Sequence, residues 1–219
     1  MKRIKVITID GPAASGKGSL AISIANKFSF KLLDSGSLYR LFALFERRNI
    51  DHMEIVETIK NRVEFELTKD SQSIILDKNV DITNELKSED VAKSASILSS
   101  QKEVRNHLFK LQRDFYQGSE LVADGRDMGT VIFPEANIKI YLTASLEERA
   151  SRRYRQLKTV DSKVNMRILL DKLAERDKID KERDHSPLKP AEDSLVIDTT
   201  NLNPWKVLEE IKRIASGEI

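Results

Sequence analysis

The sequence of 219 residues contains no cysteine, which excludes disulfides, thiolate nucleophiles and cysteine-based zinc sites. The three histidines, His52, His107 and His185, are scattered along the chain, so a histidine-rich metal cage is not expected. No stretch approaches the roughly 20 apolar residues that a membrane-spanning helix needs. The apolar residues near the N-terminus are too few for the core of a signal peptide. We therefore expect a cytoplasmic protein with no membrane partner.

An excess of charge of one sign is also lacking, since 37 Lys and Arg oppose 35 Asp and Glu for a formal net charge of +2. A nucleic-acid-binding protein usually carries a clear basic excess. The near balance disfavours such a module and predicts that anions are recognised by local groups of arginines. A hydrophobic fraction of 40% over this length is typical of a single globular domain.

Short apolar runs alternate with segments of helical spacing along most of the chain. The apolar runs predict strands over about 4–9, 30–33, 121–124, 138–142 and 194–198. Helices are predicted over about 19–28, 37–48, 89–99, 102–116, 146–157, 164–183 and 204–215. This order predicts an α/β fold in which helices cover both faces of a five-stranded parallel sheet. Alternating apolar and polar residues over about 63–82 predict a small antiparallel β insertion.

The segment between the first strand and the first helix matches the pattern G-x-x-x-x-G-K of a phosphate-binding loop. It consists of Gly11, Pro12, Ala13, Ala14, Ser15, Gly16 and Lys17, and Gly18 and Ser19 follow it. Its backbone N–H groups and the helix N-terminus are suited to bind phosphate, and Lys17 to reach the β- and γ-oxygens. Gly18 replaces the usual Ser or Thr, which disfavours a P-loop GTPase. The loop alone leaves open a kinase, or a binding or switch protein.

Two further segments stand at the ends of predicted strands, and a third group lies on a late helix. They are Asp34-Ser35-Gly36-Ser37-Leu38-Tyr39-Arg40, then Asp124-Gly125-Arg126-Asp127-Met128-Gly129-Thr130, then Arg176, Asp177, Asp180 and Arg183. Together with the phosphate-binding loop, they closely resemble the bacterial cytidylate (CMP/dCMP) kinase family, a group of P-loop nucleoside monophosphate kinases. The resemblance extends over about residues 6–198. It implies an enzyme that phosphorylates CMP and dCMP with ATP and Mg²⁺.

The resemblance also implies roles for individual residues. The acceptor phosphate would be held by Arg40 and Arg126, cytosine by Ser96, Arg105 and Asp127, the sugar hydroxyls by Ser35 and Asp180, and the transferring phosphoryl group by Lys17, Arg176 and Arg183. Planar guanidinium groups bind phosphate bidentately, which suits the arginines to these roles. Arg152 would lie near the adenine of ATP, although Arg149, Arg153 or Arg155 could take its place. Without the resemblance, the spacing of Arg176, Asp180 and Arg183 is also typical of an exposed ion-pair ladder.

The remaining expectations concern the metal, the lid and the acceptor. Asp124 is expected to hold Mg²⁺ through water, with Ser19 as a second candidate. Phosphoryl transfer must exclude water, which predicts a lid, with its tip at about 154–163. The expected division of the single domain is a core of about 1–35, 118–152 and 184–219, an acceptor-binding lobe of about 36–117 and a lid region of about 153–183. We expect a monomer, and a kinase of UMP or AMP stays open as an alternative.

Overall fold

The computed structural model describes residues 5–68, 70, 72–158, 164–202 and 209. Within them the strands are β1 (Val6–Asp10), β2 (Lys31–Asp34), β3 (Val63–Leu67), β4 (Ser73–Asp77), β5 (Val80–Asp81), β6 (Leu121–Gly125), β7 (Ile138–Thr143) and β8 (Leu195–Asp198). The helices are α1 (Lys17–Phe28), α2 (Ser35–Arg47), α3 (His52–Arg62), α4 (Thr83–Leu86), α5 (Glu89–Leu98), α6 (Lys102–Asp114), α7 (Leu146–Lys158) and α8 (Met166–Glu182), with one π-helical turn at Met128–Ile132. None of these described helices is both long and apolar enough to cross a membrane.

Five of the strands form one parallel sheet in the order β2-β6-β1-β7-β8. The central strand is β1, and its last residue, Asp10, is level with Gly125 of β6 and Tyr141 of β7. This arrangement confirms the α/β fold with a five-stranded parallel sheet. Because the strands all run in one direction, their carboxyl ends share one edge, and ligands of such sheets bind beyond that edge.

Apolar side chains cover both faces of the sheet because successive residues of a strand point to opposite sides. On one face, Val6, Leu33 and Leu121 pack in a core with residues of α2, α5 and α6. On the other face, Ile7 and Val122 pack in a core with residues of α1. Burial on both faces accounts for the nearly continuous apolar runs by which these strands are predicted.

The segment of alternating residues forms a separate antiparallel sheet in the order β3-β4-β5, which confirms the predicted β insertion. Lys78 and Asn79, between β4 and β5, both have positive φ, as a tight two-residue hairpin turn requires. Arg62 at the end of α3 donates two hydrogen bonds to Asp77, of 3.0 and 2.8 Å. Arg48, just after α2, donates to the same carboxylate at 3.1 Å. These contacts attach the insertion to α2 and α3.

Helices α3 and α4 are missing from the sequence-based prediction. Only Ile55 and Ile59 of α3 are buried, and one such pair is too little periodicity to identify a helix. Its N-terminus is capped by Asp51, which accepts from the Met53 N–H at 2.8 Å. The π-helical turn is likewise not predicted. The predicted helix over 204–215 lies outside the described residues, apart from Glu209. Of the predicted lid at about 154–163, residues 154–158 belong to α7 and residues 159–163 lie outside the described residues.

Candidate active site

The loop between β1 and α1 turns sharply toward the carboxyl edge of the sheet. Gly11, Ala14 and Gly16 have φ values of 147°, 59° and 100°. A Cβ atom on Gly11 would lie 2.0 Å from the carbonyl oxygen of Leu142 in β7, so only glycine allows the loop to approach so closely. Helix α1 begins at Lys17, directly after the loop. The free N–H groups of this helix N-terminus are available to bind phosphate.

The Lys17 side chain folds back across this loop and is buried. Its Nζ donates to the carbonyl oxygen of Pro12 at 2.7 Å and to the hydroxyl of Ser15 at 3.5 Å. Burial, together with the positive charges of Arg126 and Arg176, lowers the pKa of Lys17 to about 7. A bound phosphate group would reverse this shift, because a nearby anion favours the charged lysine.

Arginines from three other parts of the chain lie in this region: Arg126 and Arg176 act on the pKa of Lys17, and Arg40 acts on those of Asp124 and Arg176. Arg126 follows β6, Arg40 lies on α2 and Arg176 lies on α8. Burial and the positive charges of Arg126 and Arg40 lower the pKa of Arg176 to about 10. The buried Nε of Arg176 has no hydrogen-bond partner in the part of the chain that the structure describes. Buried cations in this arrangement are suited to an incoming anion.

The face of α8 that carries Arg176, Asp180 and Arg183 points into the protein, so it is not an exposed ion-pair ladder. Asp180 and Arg183 are 3% and 8% exposed. Asp180 accepts from Arg126 Nε at 2.9 Å. Burial alone would raise the pKa of Asp180, but the guanidinium groups of Arg126 and Arg176 hold it below its usual value. Asp180 therefore stays charged and joins α8 to the residue that follows β6.

Asp127 does not pair with its neighbour Arg126 among the described contacts and instead forms an ion pair with Arg105 of α6. A second guanidinium group, that of Arg183, lies 3.9 Å from the same carboxylate. The buried ring of Tyr39 lies 6.0 Å from the Arg105 guanidinium group, and burial raises the pKa of the phenol to about 12. A carboxylate that accepts and a guanidinium group that donates are thus side by side, as recognition of one edge of a base requires.

Ser96 and Ser35, the two serines of the candidate acceptor site, differ in their hydrogen bonding. The Ser96 hydroxyl is buried and has no partner within the described chain, so it does not bond back to its own helix. The Ser35 hydroxyl donates to Gln112 Oε1 of α6 at 2.7 Å and keeps its lone pairs free to accept. Asp34 caps α2 by accepting from the Ser37 N–H at 3.1 Å, which is why the helix begins at Ser35.

Arg149 of α7 is buried, and its N–H groups donate hydrogen bonds to other groups of the protein. It donates to the carbonyl oxygens of Ala144 and Ala13, at 3.0 and 3.2 Å. It also forms two hydrogen bonds with the Asp177 carboxylate, of 3.1 and 2.5 Å. Arg149 therefore connects the phosphate-binding loop, the end of β7 and helix α8, and it is not a free candidate for an ATP contact.

The other arginines of α7 occupy different surroundings. Arg153 pairs with Glu89 of α5 at 2.7 Å, and Arg155 is largely exposed. Arg152 instead donates to the carbonyl oxygen of Ser15 at 3.1 Å and to that of Thr199, just after β8, at 2.7 Å. Of these three residues, Arg152 is the one whose described contacts border the phosphate-binding loop.

The carboxylate of Asp124 faces the first turn of α1. A Cβ atom on Gly18 would lie 3.4 Å from Asp124 Oδ2, so the glycine keeps the carboxylate accessible from the loop. Burial raises the pKa of Asp124 to about 6, against the opposing charge of Lys17. Ser19 is exposed in the same helical turn. Among the described residues no group of three or more His, Asp or Glu could hold a metal. The arrangement fits Mg²⁺, which commonly binds through one or two carboxylates, several waters and substrate phosphates.

Asp10 is a buried residue of this region that the sequence-based site prediction does not include. Its carboxylate accepts from the N–H groups of Met128 and Gly129 at 2.8 and 2.7 Å. Burial raises its pKa to about 7, although the two N–H groups favour the charged form. The sequence shows that Asp10 ends a predicted strand, which could have drawn attention to it. The sequence does not show that its carboxylate binds the Gly129 N–H, because Gly129 is 119 positions away.

The chain is similar along most of its length to proteins of one family. A family model described as cytidylate kinase matches residues 7–216. A protein named cytidylate kinase from Stutzerimonas stutzeri (strain A1501) is 43% identical over 217 residues, which cover 96% of this chain and 95% of that protein. Another of that name, from Acinetobacter baylyi, is 46% identical over 214 residues, 94% of each chain. The fold is similar to that of an uncharacterized protein from Eubacterium ventriosum, with a TM-score of 0.57, 12% identity and 99% of both chains covered.

Proposed function

Because the chain belongs to the cytidylate kinase family, we propose that it phosphorylates CMP and dCMP with ATP by direct in-line phosphoryl transfer. The observation that carries the proposal is the crowding of Lys17, Arg126 and Arg176 at the carboxyl edge of the sheet. Burial and these charges together lower the pKa values of Lys17 and Arg176, even though Asp124 and Asp180 lie close by. Two facing phosphate groups would supply the negative charge that this cluster needs.

The donor side of the site is the loop from Gly11 to Ser19. Backbone N–H groups of the loop and of the first turn of α1 would bind the β-phosphate of ATP. Lys17 would leave the carbonyl oxygen of Pro12 and reach the β- and γ-oxygens. Arg152 would lie beside the adenine, because its contacts with Ser15 and Thr199 place it between the loop and the end of β8.

The acceptor side combines a phosphate grip with a base-recognition pair. Arg40 and Arg126 would hold the phosphate of CMP. Asp127 would accept from the N4 amino group of cytosine, while Arg105 and Ser96 would serve its acceptor atoms. Ser35 and Asp180 would bind the sugar hydroxyls. The hydroxyl of Ser96 is buried and has no hydrogen-bond partner among the described residues, which supports this assignment, since a base would complete its hydrogen bonding.

Asp124 would hold Mg²⁺ through water, and Ser19 is the second candidate ligand. When bound, the metal would neutralise charge on the phosphate oxygens of ATP. The protein's own part is to orient the two nucleotides and to stabilise the transferring group with Lys17, Arg176 and Arg183. No catalytic base is needed, because the second pKa of a phosphate monoester is about 6 and the acceptor oxygen is already ionised near neutral pH.

Exclusion of water from the two phosphates would be the role of the lid region at about 153–183, which includes α8. The core of about 1–35, 118–152 and 184–219 would bind ATP, and the lobe of about 36–117 would bind the acceptor. We propose that the protein acts in the cytoplasm as a monomer on small-molecule substrates, without a nucleic-acid or membrane partner.

The proposal is tested by an acceptor panel. The purified protein is assayed with ATP and Mg²⁺ against CMP, dCMP, UMP and AMP. We expect CMP and dCMP to have the highest kcat/KM, because Asp127 accepts a hydrogen bond that cytosine can donate from N4 and uracil cannot.

Each other outcome of the panel identifies an alternative. AMP or UMP as the best acceptor would replace the assignment with another monophosphate kinase. Nucleotide binding without transfer to any acceptor would favour a P-loop switch protein. In a separate binding experiment, strong, salt-sensitive retention on DNA would favour a nucleic-acid-binding module.

A further inference from the structure

We propose that Asp10 is a positioning residue for the acceptor nucleotide, because its carboxylate holds the backbone turn that directs Arg126 and Asp127 to their separate partners. The proposal rests on the acceptor site proposed above and adds a residue to it. Asp10 would touch neither nucleotide. It would act through the segment from Gly125 to Gly129, which carries the phosphate grip and the base-recognition carboxylate on consecutive residues.

The contacts of Asp10 are those of a backbone anchor. Both carboxylate oxygens are used, one by the Met128 N–H at 2.8 Å and the other by the Gly129 N–H at 2.7 Å. Asp10 is 4% exposed, so water does not compete for these bonds. These two N–H groups favour the ionised form of Asp10 against the effect of burial, and hydrogen bonds to an ionised carboxylate are stronger than those between neutral groups. Two of them on neighbouring residues fix both the position and the direction of the chain.

The segment is closely packed beside this anchor. A Cβ atom on Gly125 would lie 2.8 Å from Cγ of Met128. A Cβ atom on Gly129 would lie 2.8 Å from the hydroxyl of Thr8 and 3.3 Å from a carboxylate oxygen of Asp10. Gly125 therefore leaves room for the Met128 side chain, and Gly129 lets the segment pack closely on β1, where Asp10 is the hydrogen-bonding group.

The direction of this turn determines where the side chains of Arg126 and Asp127 point. Arg126 reaches Asp180 on α8, whereas Asp127 reaches Arg105 on α6 and lies near Arg183. Consecutive residues diverge in this way only while the backbone between them keeps its orientation. A small rotation of the segment would move the phosphate grip and the base-recognition pair together.

The donor loop has a separate support, although it begins one residue after Asp10. It is held against β7 by the close approach of Gly11 to Leu142 and by the Arg149 contact with Ala13. A change in the Asp10 carboxylate should therefore affect the acceptor side more than the ATP side. This asymmetry separates a positioning role from a general role in stability.

The test is Asp10→Asn, which keeps the shape but offers one acceptor oxygen and places an amide N–H₂ against the second backbone donor. We expect KM for CMP to rise about tenfold or more, the equivalent of one lost hydrogen bond to a charged group. KM for ATP should change by less than about threefold, and discrimination between CMP and UMP should fall. Thr8→Val is the matched control, because the Thr8 hydroxyl adjoins the same glycine but makes no hydrogen bond within the described chain. Its kinetics should match those of the wild type.

Gly129→Ala tests the same turn without altering a carboxylate, and it decides the question if Asp10→Asn does not fold. The added methyl group would push the segment away from both Thr8 and Asp10 of β1, and the same selective rise in KM for CMP is expected. Equal losses for ATP and CMP, or unchanged kinetics in a folded variant, would overturn the positioning role. The wild-type panel in the same assay separates this failure from failure of the proposed reaction, since the latter would appear without any substitution.

Discussion

At the scale of single residues, the state of Lys17 shows how the protein is prepared for an anion. Its ammonium group is buried among other cations and is held on the carbonyl oxygen of Pro12. That arrangement costs free energy in the absence of phosphate, because burial and like charges both disfavour the charged form. Under the proposed function, the same charges would stabilise the transferring phosphoryl group when the nucleotides are bound.

Lys17→Ala should therefore lower kcat by about two to three orders of magnitude, the usual effect of removing one donor to a developing charge. The variant should stay folded, because the substitution also removes a buried charge from a crowded cluster. Steady-state kinetics and thermal unfolding measure the two effects. Lys27→Ala, an exposed change on the same helix, is the control and should leave both unchanged. Near-normal turnover of Lys17→Ala would contradict its phosphate role.

Asp127 is expected to decide which base is accepted. Asp127→Ala removes the carboxylate that faces Arg105 and Arg183, so the preference for a base with an amino donor should be lost. We expect kcat/KM for CMP to fall about tenfold or more and that for UMP to fall less. KM for ATP serves as the internal control, because the described contacts of Asp127 do not involve the phosphate-binding loop. Unchanged discrimination between CMP and UMP would argue against contact with cytosine.

At the scale of secondary-structure elements, the position of helix α8 depends on Asp177, which is not itself a candidate for nucleotide binding. Asp177 lies beside Arg176 in the chain but pairs with Arg149 of α7 through two hydrogen bonds. Because Arg149 also binds the carbonyl oxygen of Ala13, this pair sets the distance between α8 and the phosphate-binding loop. The position of Arg176 relative to the γ-phosphate would follow from that distance.

Asp177→Asn should therefore reduce kcat about tenfold or more, since misplacement of a catalytic group by even about 1 Å is costly. It should also lower the free energy of unfolding by about 1–3 kcal/mol, because the buried Arg149 loses a charged partner. Chemical denaturation and initial rates test both effects. Asp171→Asn is the matched control, as it makes the same change at an exposed position of α8. Full activity in Asp177→Asn would show that α8 is held without this pair.

At the scale of the whole molecule, we expect Mg²⁺ to bind together with the nucleotide substrate and not to stabilise the folded protein by itself. Removal of divalent metal with EDTA should abolish transfer, and added Mg²⁺ should restore it. The thermal unfolding midpoint without nucleotide should not change, because no cluster in the described ranges could hold a metal by itself. A marked fall of that midpoint in EDTA would reveal a structural metal and contradict this view.

Local signals account for the parts of the fold and the site that sequence alone determined. The phosphate-binding loop is a run of adjacent residues, and its glycines and strand–loop–helix context act within that run. The central strands β1 and β6 are buried on both faces, so their apolar runs are visible without knowledge of their neighbours. Helix α3 is not predicted because only Ile55 and Ile59 are buried in it, and two residues do not make a recognisable apolar pattern.

Tertiary structure alone decided which charged groups meet. The chain has 37 basic and 35 acidic residues, and any of these could pair as far as composition is concerned. Only folding brings Asp127 to Arg105, Asp180 to Arg126 and the Asp10 carboxylate to the Gly129 N–H. These pairs depend on strand order and on the depth of burial, because electrostatic interactions become strong and selective only where water is excluded.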